Sequence, residues 1–249
     1  MTVTYNPYLV VFSALIAVAA SYSALNLASL MPVLGGFDRK ILLSVGAIAM
    51  GIGIWSMHFI AMLAFSIPIS INYDLVLVVV SLVAAILASG LALFIVSLPV
   101  VTTPALLSGG TAMGVGVGLM HYIGMAAMQM SATIRYDPAL FLLSLAIAIV
   151  ASIVALMLFL KCRDKTGRAL NRWKTISSLI MSVAILALHY TGMAAAIFKP
   201  DSQKTIENNA LIDNLSMGCF VGIFTVLILA ISLTLSFDDS GSRGYRSRG

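Results

Sequence analysis

Seven apolar runs, each long enough to cross a membrane, constrain the fold of this chain more than any other feature. They cover about residues 8–31, 41–66, 75–98, 105–130, 139–160, 175–198 and 213–237. A bilayer core about 30 Å thick needs roughly 20 apolar residues in a helix. Only 9% of the 249 residues are charged, against about 25% in soluble domains. We therefore predict an all-α polytopic membrane protein with seven transmembrane helices within residues 1–237.

The distribution of Lys and Arg between the connections predicts the orientation of these helices. Eleven of these residues lie on the side that carries the C-terminal tail, and three lie on the other side. Basic residues accumulate in cytoplasmic loops, so we expect the N-terminus outside and the C-terminus in the cytoplasm. Residues 238–249 then form a short basic cytoplasmic tail that is disordered. The net charge of +5 favours anchoring to the lipid bilayer and not a nucleic-acid partner.

A second pattern divides the first six spans into three hairpins. An Asn or Asp precedes each odd-numbered span and is expected to cap its helix; these residues are Asn6, Asp74 and Asp137. A tyrosine stands just before each cap, and serines follow it after eight and sixteen residues in all three copies. The repeated unit is therefore a helical hairpin, present three times, with the seventh helix appended.

All three histidines of the chain lie in the even-numbered spans, and each is followed by methionine four residues later. The pairs are His58 and Met62, His121 and Met125, and His189 and Met193. Residues four apart share a helix face. Each His stands eight or nine residues before the predicted outer end of its span, roughly 12–14 Å deep. We expect the three imidazoles to converge at one depth in the centre of the bundle.

A buried set of imidazoles and thioethers points to a soft metal ion. Imidazole is the commonest metal ligand, and thioether sulfur favours Cu(I). Copper is therefore the expected cofactor, with zinc and non-covalent haem as alternatives; for any single His, a packing role is the alternative. Met57 and Met120 are additional candidate ligands, although the third copy has Leu188 there. Tyr122 and Tyr190 are candidates for hydroxyl donors around the site.

The segments Met57-His58-Phe59-Ile60, Met120-His121-Tyr122-Ile123 and Leu188-His189-Tyr190-Thr191 resemble the signature of the bacterial MHYT domain, and the likeness extends over nearly the whole chain. The resemblance implies a sensor module of the bacterial inner membrane that binds copper through these His and Met residues. It also implies detection of a diatomic gas, namely oxygen, carbon monoxide or nitric oxide. Family members are often fused to cytoplasmic domains that make or degrade cyclic di-GMP, so such a domain, fused or separate, is the implied partner.

The leading hypothesis is therefore a non-enzymatic sensory membrane domain that responds to a gas or to copper itself. A copper carrier is one alternative, and it would need a donor path continuing inward through Met50, Met113 and Met181. A metal-dependent membrane oxidoreductase is another. No Asp, Glu, Lys or Arg lies within the predicted spans, which disfavours a proton pump or a charge-coupled transporter.

Overall fold

The computed structural model describes residues 2–30, 36–163, 165–201, 211–227 and 230, and it is dominated by helices. Six of them are long and apolar enough to cross a membrane: α1 (Pro7–Leu30), α2 (Gly36–Ala64), α3 (Leu75–Ser97), α4 (Thr103–Ala126), α5 (Pro138–Arg163) and α6 (Gly167–Ala195). A shorter apolar helix, α7, spans Asn214–Leu227. The helical, multi-pass architecture is confirmed, and the seventh full span stays a prediction. The predicted tail 238–249 lies outside the described residues.

The six long helices form a closed ring in chain order. Each helix packs against the next one, and α6 packs back against α1. The three hairpins therefore occupy equivalent places around a pseudo-threefold axis. Gly51 and Gly114, seven residues before His58 and His121, lie where the backbones of neighbouring helices approach closely. A Cβ on Gly51 would meet the Cα of Ile86 at 2.6 Å, and one on Gly114 the Cα of Ile149 at 2.5 Å. Small residues thus let α2 pack closely on α3, and α4 on α5.

One end of the bundle, which we call the strand end, carries seven short strands among the described residues, and the all-α prediction did not contain them. They are β1 (Thr4–Tyr5), β2 (Phe65–Ser66), β3 (Asn72–Asp74), β4 (Met128–Gln129), β5 (Ala132–Tyr136), β6 (Ala196–Pro200) and β7 (Leu211–Asp213). In each hairpin the strand that enters the first helix pairs antiparallel with the strand that leaves the second. In addition, β7 pairs with β3 and brings α7 to the ring. Several strands continue apolar runs, so hydropathy alone assigned them to the helices.

The three predicted N-caps are confirmed, and each has a second role. The side chains of Asn6, Asp74 and Asp137 accept backbone N–H bonds from the first turns of α1, α3 and α5 at 2.9–3.0 Å. The backbone N–H of the same three residues donates to a carbonyl at the end of the partner helix, at 2.8–2.9 Å. These carbonyls belong to Ala64, Ala127 and Ala195. Each hairpin is therefore closed at the strand end by the same pair of interactions.

A lysine lies inside a helix where the sequence analysis placed a loop. Helix α6 begins at Gly167, before the predicted start at 175, and it includes Lys174, which is only 1% exposed. The ammonium of Lys174 donates to Asn26 Oδ1 at 2.6 Å. The predicted spans contain no charged residue, but α6 extends beyond its predicted span and buries this one, because the amide oxygen of Asn26 on α1 replaces part of the ammonium's hydration.

Candidate metal centre

Three buried imidazoles meet on the axis of the ring. His58 on α2, His121 on α4 and His189 on α6 are each 1% exposed. The Nδ1 atoms of His58 and His189 are 3.1 Å apart, and those of His58 and His121 are 3.2 Å apart. One nitrogen from each ring lies within 4.8 Å of the other two. The predicted convergence of the three rings is therefore confirmed.

The depth of this cluster differs from the sequence-based expectation. Each His stands five or six residues before the end of its helix, about 8–9 Å below the strand end. The difference arises because α2, α4 and α6 end at Ala64, Ala126 and Ala195 and continue as turns or strands. The imidazoles consequently lie just beneath the β-pairs that cover this end of the bundle.

In two of the rings, those of His58 and His121, the other nitrogen lies against a neighbouring helix. A Cβ placed on Gly124 would overlap Nε2 of His58, and one placed on Gly192 would overlap Nε2 of His121. Among the described residues, all three Nε2 atoms are buried without a hydrogen-bond partner. Gly124 and Gly192, three positions after His121 and His189, therefore make room for the rings of His58 and His121 and direct their Nδ1 atoms to the axis.

Hydrogen bonds alone satisfy this arrangement poorly, because at best one Nδ1 proton is shared between the two other Nδ1 atoms. A neutral ring nitrogen carries either one proton or one lone pair, yet His58 Nδ1 lies within hydrogen-bonding distance of two other Nδ1 atoms. A cation on the axis would accept all the Nδ1 lone pairs at once. Nitrogen–nitrogen edges of 3.1 and 3.2 Å are close to the ~3.3 Å of a tetrahedral site with metal–nitrogen bonds of about 2.0 Å. The donor set therefore fits a metal ion.

The methionines predicted as further ligands lie in the interior of the bundle. Met62, Met125 and Met193 are buried one helical turn closer to the strand end than the histidines. Met57 and Met120, which directly precede the first two histidines, are also buried. Burial fits a place near the centre, and the role of these five sulfur atoms as ligands stays a prediction.

Aromatic rings enclose the three histidines. Phe59, Tyr122 and Tyr190 each lie edge-on to the preceding His, with ring centroids 4.8–4.9 Å apart. The hydroxyl of Tyr122 hydrogen-bonds to Ser144 Oγ on α5. At the strand end, burial raises the pKa of Tyr136 to about 12. The three histidines are thus bordered by the aromatic rings of Phe59, Tyr122 and Tyr190.

The first repeat departs from the other two in a way that sequence reasoning missed. Trp55, three residues before His58, donates its Nε1–H to Ser81 Oγ at 3.1 Å and to the Val78 carbonyl at 3.2 Å. The same ring packs against Phe220 and Phe224 of α7, with centroids 5.9 and 5.8 Å apart. The signal in the sequence was the tryptophan itself, because the equivalent positions of the other copies hold Gly118 and Leu186.

Comparison with known proteins identifies the family of this bundle. Residues 51–109 and 114–171 match the MHYT family, described as a bacterial signalling protein N terminal repeat. The chain carries the MHYT domain. Each matched MHYT segment begins seven residues before a histidine, and the two segments contain His58 and His121. His189 lies outside the matched residues, although the structure places it in the same cluster.

Several longer signalling proteins share this MHYT region. The bifunctional diguanylate cyclase/cyclic di-GMP phosphodiesterase MucR of Pseudomonas aeruginosa is 41% identical over 237 residues, which are 95% of this chain and 34% of that protein. The cyclic di-GMP phosphodiesterase NbdA of the same organism is 36% identical over 95% of this chain and 30% of its own length. The signaling protein YkoW of Bacillus subtilis is 35% identical over 98% of this chain and 30% of its own length.

The chain thus spans about a third of the length of these relatives. The shared segment is their membrane repeat region, a sensory part of signalling proteins and not a catalytic one. No solved structure matches this chain.

Proposed function

We propose that this MHYT domain is a membrane sensor that holds copper at Nδ1 of His58, His121 and His189. The observation that carries the proposal is the convergence of these three buried nitrogens, whose lone pairs a single cation on the axis could bind together. Met62, Met125 and Met193 supply further soft donors one turn away, and Met57 and Met120 are two more. Thioether donors favour copper above zinc. The ligand nitrogens of the three histidines lie within 4.8 Å of one another, which leaves no space for a haem among the rings.

Copper held there would offer a coordination position to oxygen, carbon monoxide or nitric oxide, which are the gases we propose as signals, with copper itself as the alternative. The protein's own groups prepare the site. Gly124 and Gly192 keep the rings of His58 and His121 turned to the axis. The aromatic edges and the β-pairs exclude water, which strengthens the interactions of the centre with a small ligand.

A continuous set of aromatic contacts supports transmission from the centre to α7. The ring centroids of His58 and Phe59 are 4.9 Å apart, and those of Phe59 and Trp55 are 5.0 Å apart. The centroid of Trp55 lies 5.8 and 5.9 Å from those of two phenylalanines of α7. A displacement of the His58 ring would therefore shift the packing of α7. Because two relatives are named as enzymes of cyclic di-GMP, we propose a cyclic di-GMP signalling domain, fused or separate, as the partner that receives this shift.

We further propose that the domain lies in the bacterial inner membrane with its strand end outside and its C-terminus in the cytoplasm. The asymmetry of Lys and Arg supports this orientation. The carrier alternative needs donors along the whole path. Between the histidines and the inner methionines, the cavity below the centre is lined by the aliphatic side chains of Ile54, Val117 and Ile185, and this interruption favours sensing above transport.

Metal analysis of the purified full chain tests the proposal. We expect His121→Ala to hold about one copper ion fewer per chain than the wild type, because one of three ligands of the histidine centre is removed. Met157→Leu is the matched control, since this methionine is 45% exposed on the surface of α5. Copper that is absent from the wild type, or unchanged in His121→Ala, would remove the site.

The sensory part needs a separate measurement. Addition of carbon monoxide to the reduced, copper-loaded chain should produce an infrared band of bound carbon monoxide that is missing in His121→Ala. A copper-loaded wild type that gives no such band, and that does not respond to oxygen or nitric oxide, would leave copper as the signal and exclude the gas.

A further inference from the structure

A second set of methionines lies deeper in the bundle and outside the histidine centre. Met50, Met113 and Met181 occur eight residues before the three histidines, one on each of α2, α4 and α6. All three are buried, and all three line one cavity of about 30 Å³. On the side of α5 the cavity is lined by Ala148, Ala151, Ser152 and Ala155, whose small side chains leave the space open.

These methionines are identical in the three copies of the repeat, whereas most of the packing residues around them differ. Across fifteen aligned positions, from eight before each His to six after it, only four positions hold the same residue in all three copies. They are this Met, the His, the Met four residues after the His, and an Ala at the strand end. Ordinary packing positions vary, as Ile54, Val117 and Ile185 show. A gap-filling role alone would tolerate Leu or Ile equally well, so the identity of the side chain points to its sulfur.

The lining of the cavity decides which kind of ligand it suits. A volume of about 30 Å³ exceeds the ~10–15 Å³ that one water requires, but a water also needs two to four polar partners. Among the lining residues only Ser152 carries a polar side chain, so the cavity is a poor site for water or for a hard cation. Thioether sulfurs are neutral, polarizable donors that select Cu(I) over harder ions.

We propose that this cavity is a second metal site, in which Met50, Met113 and Met181 hold a soft monovalent cation such as Cu(I) or Ag(I). The site is distinct from the histidine centre, because it lies two helical turns, about 12 Å, deeper along the axis. The aliphatic side chains at the intermediate turn separate the two donor sets. Three metal–sulfur bonds offset the cost of burying a single positive charge. The site does not depend on the proposed role of the histidines.

Silver binding tests this site, because Ag(I) is a soft ion that does not change oxidation state. The experiment uses the full chain with Cys162→Ala and Cys219→Ala, since both cysteines are free thiols that would bind silver. The number of silver ions retained after desalting is measured by mass spectrometry. We expect the additional triple substitution Met50→Leu, Met113→Leu and Met181→Leu to retain one ion fewer per chain, and we expect His121→Ala to keep that ion.

A matched triple substitution controls for the loss of buried sulfur. Met128→Leu, Met130→Leu and Met217→Leu also remove three buried methionines, and they should leave this ion in place. If the first triple variant does not fold, Met113→Leu alone should weaken the binding of silver at this site by about tenfold or more. Equal silver retention by the two triple variants, or an unchanged affinity in Met113→Leu, would overturn the proposal and leave an apolar cavity. Neither result would affect the test of the histidines.

Discussion

Substitution of Gly124 by alanine tests how the histidine rings are held. A Cβ at this position would lie 2.9 Å from Cδ2 of His58 and closer still to Nε2, whereas an unstrained contact needs about 3.5 Å. The ring must therefore retreat by roughly 0.6–1.2 Å. Because the opposite edge of the same ring carries Nδ1, this movement displaces the nitrogen that lies 3.1 and 3.2 Å from the other two histidines.

The expected magnitude follows from the cost of overpacking a buried site, which is about 1–3 kcal/mol. If this cost falls on the metal-bound geometry, the affinity for copper drops by about 5- to 150-fold. We would measure it by competition of the purified chain with a chromophoric Cu(I) chelator. Gly192→Ala should behave in the same way, since its Cβ would meet the His121 ring.

Gly222→Ala is the control for this experiment. It makes the same exchange within a helix, but a Cβ at Gly222 meets nothing within 4 Å. Its copper affinity should equal that of the wild type. An unchanged affinity in Gly124→Ala would refute the reasoning, because the ring of His58 would then not be clamped by α4.

Three further substitutions separate the contributions of other contacts. Trp55→Phe removes the Nε1 hydrogen bonds to α3 and should raise the deuterium uptake of α7 while copper binding changes less than about twofold. Unchanged uptake would argue against transmission through the aromatic contacts between His58 and α7. Asp74→Ala removes the N-cap of α3 and should lower the free energy of unfolding by about 1 kcal/mol, read from thermal melts in detergent. Asn26→Leu withdraws an acceptor from the buried Lys174 and should cost about 1–3 kcal/mol in the same melts; an unaltered melting temperature would show that this bond contributes nothing.

The convergence of the histidines could be predicted from their register, the repeat and their polarity. His58, His121 and His189 lie at equal depth on alternate helices, and a polar imidazole within an apolar span is expected to face the interior of the bundle. The N-caps were equally accessible, since Asn and Asp before an apolar run act through local hydrogen bonds.

The orientation of the imidazoles could not be predicted. Which ring nitrogen faces the axis depends on the contact of His58 with Gly124 of the next repeat, and sequence spacing contains no information on that contact. The short β-pairs were missed for a related reason. Strands of two to five residues are stabilised by pairing between distant segments, whereas hydropathy registers only that the segments are apolar.

At the opposite end of the bundle, hydropathy could not predict the burial of Lys174. A lysine usually marks the end of a span, so the predicted helix began directly after it. The partner that allows its burial, Asn26, is separated from it by almost 150 residues in sequence. Only the closure of the ring, which packs α6 against α1, brings the two side chains together.

Anomalous diffraction at the copper absorption edge, from crystals of the copper-loaded chain, tests the central claim most directly. The convergence of three buried Nδ1 atoms predicts an anomalous peak on the axis of the ring, within bonding distance of Nδ1 of His58, His121 and His189. A copper peak bonded through Nε2, a peak located elsewhere in the bundle with none at the histidines, or no peak at all would contradict it.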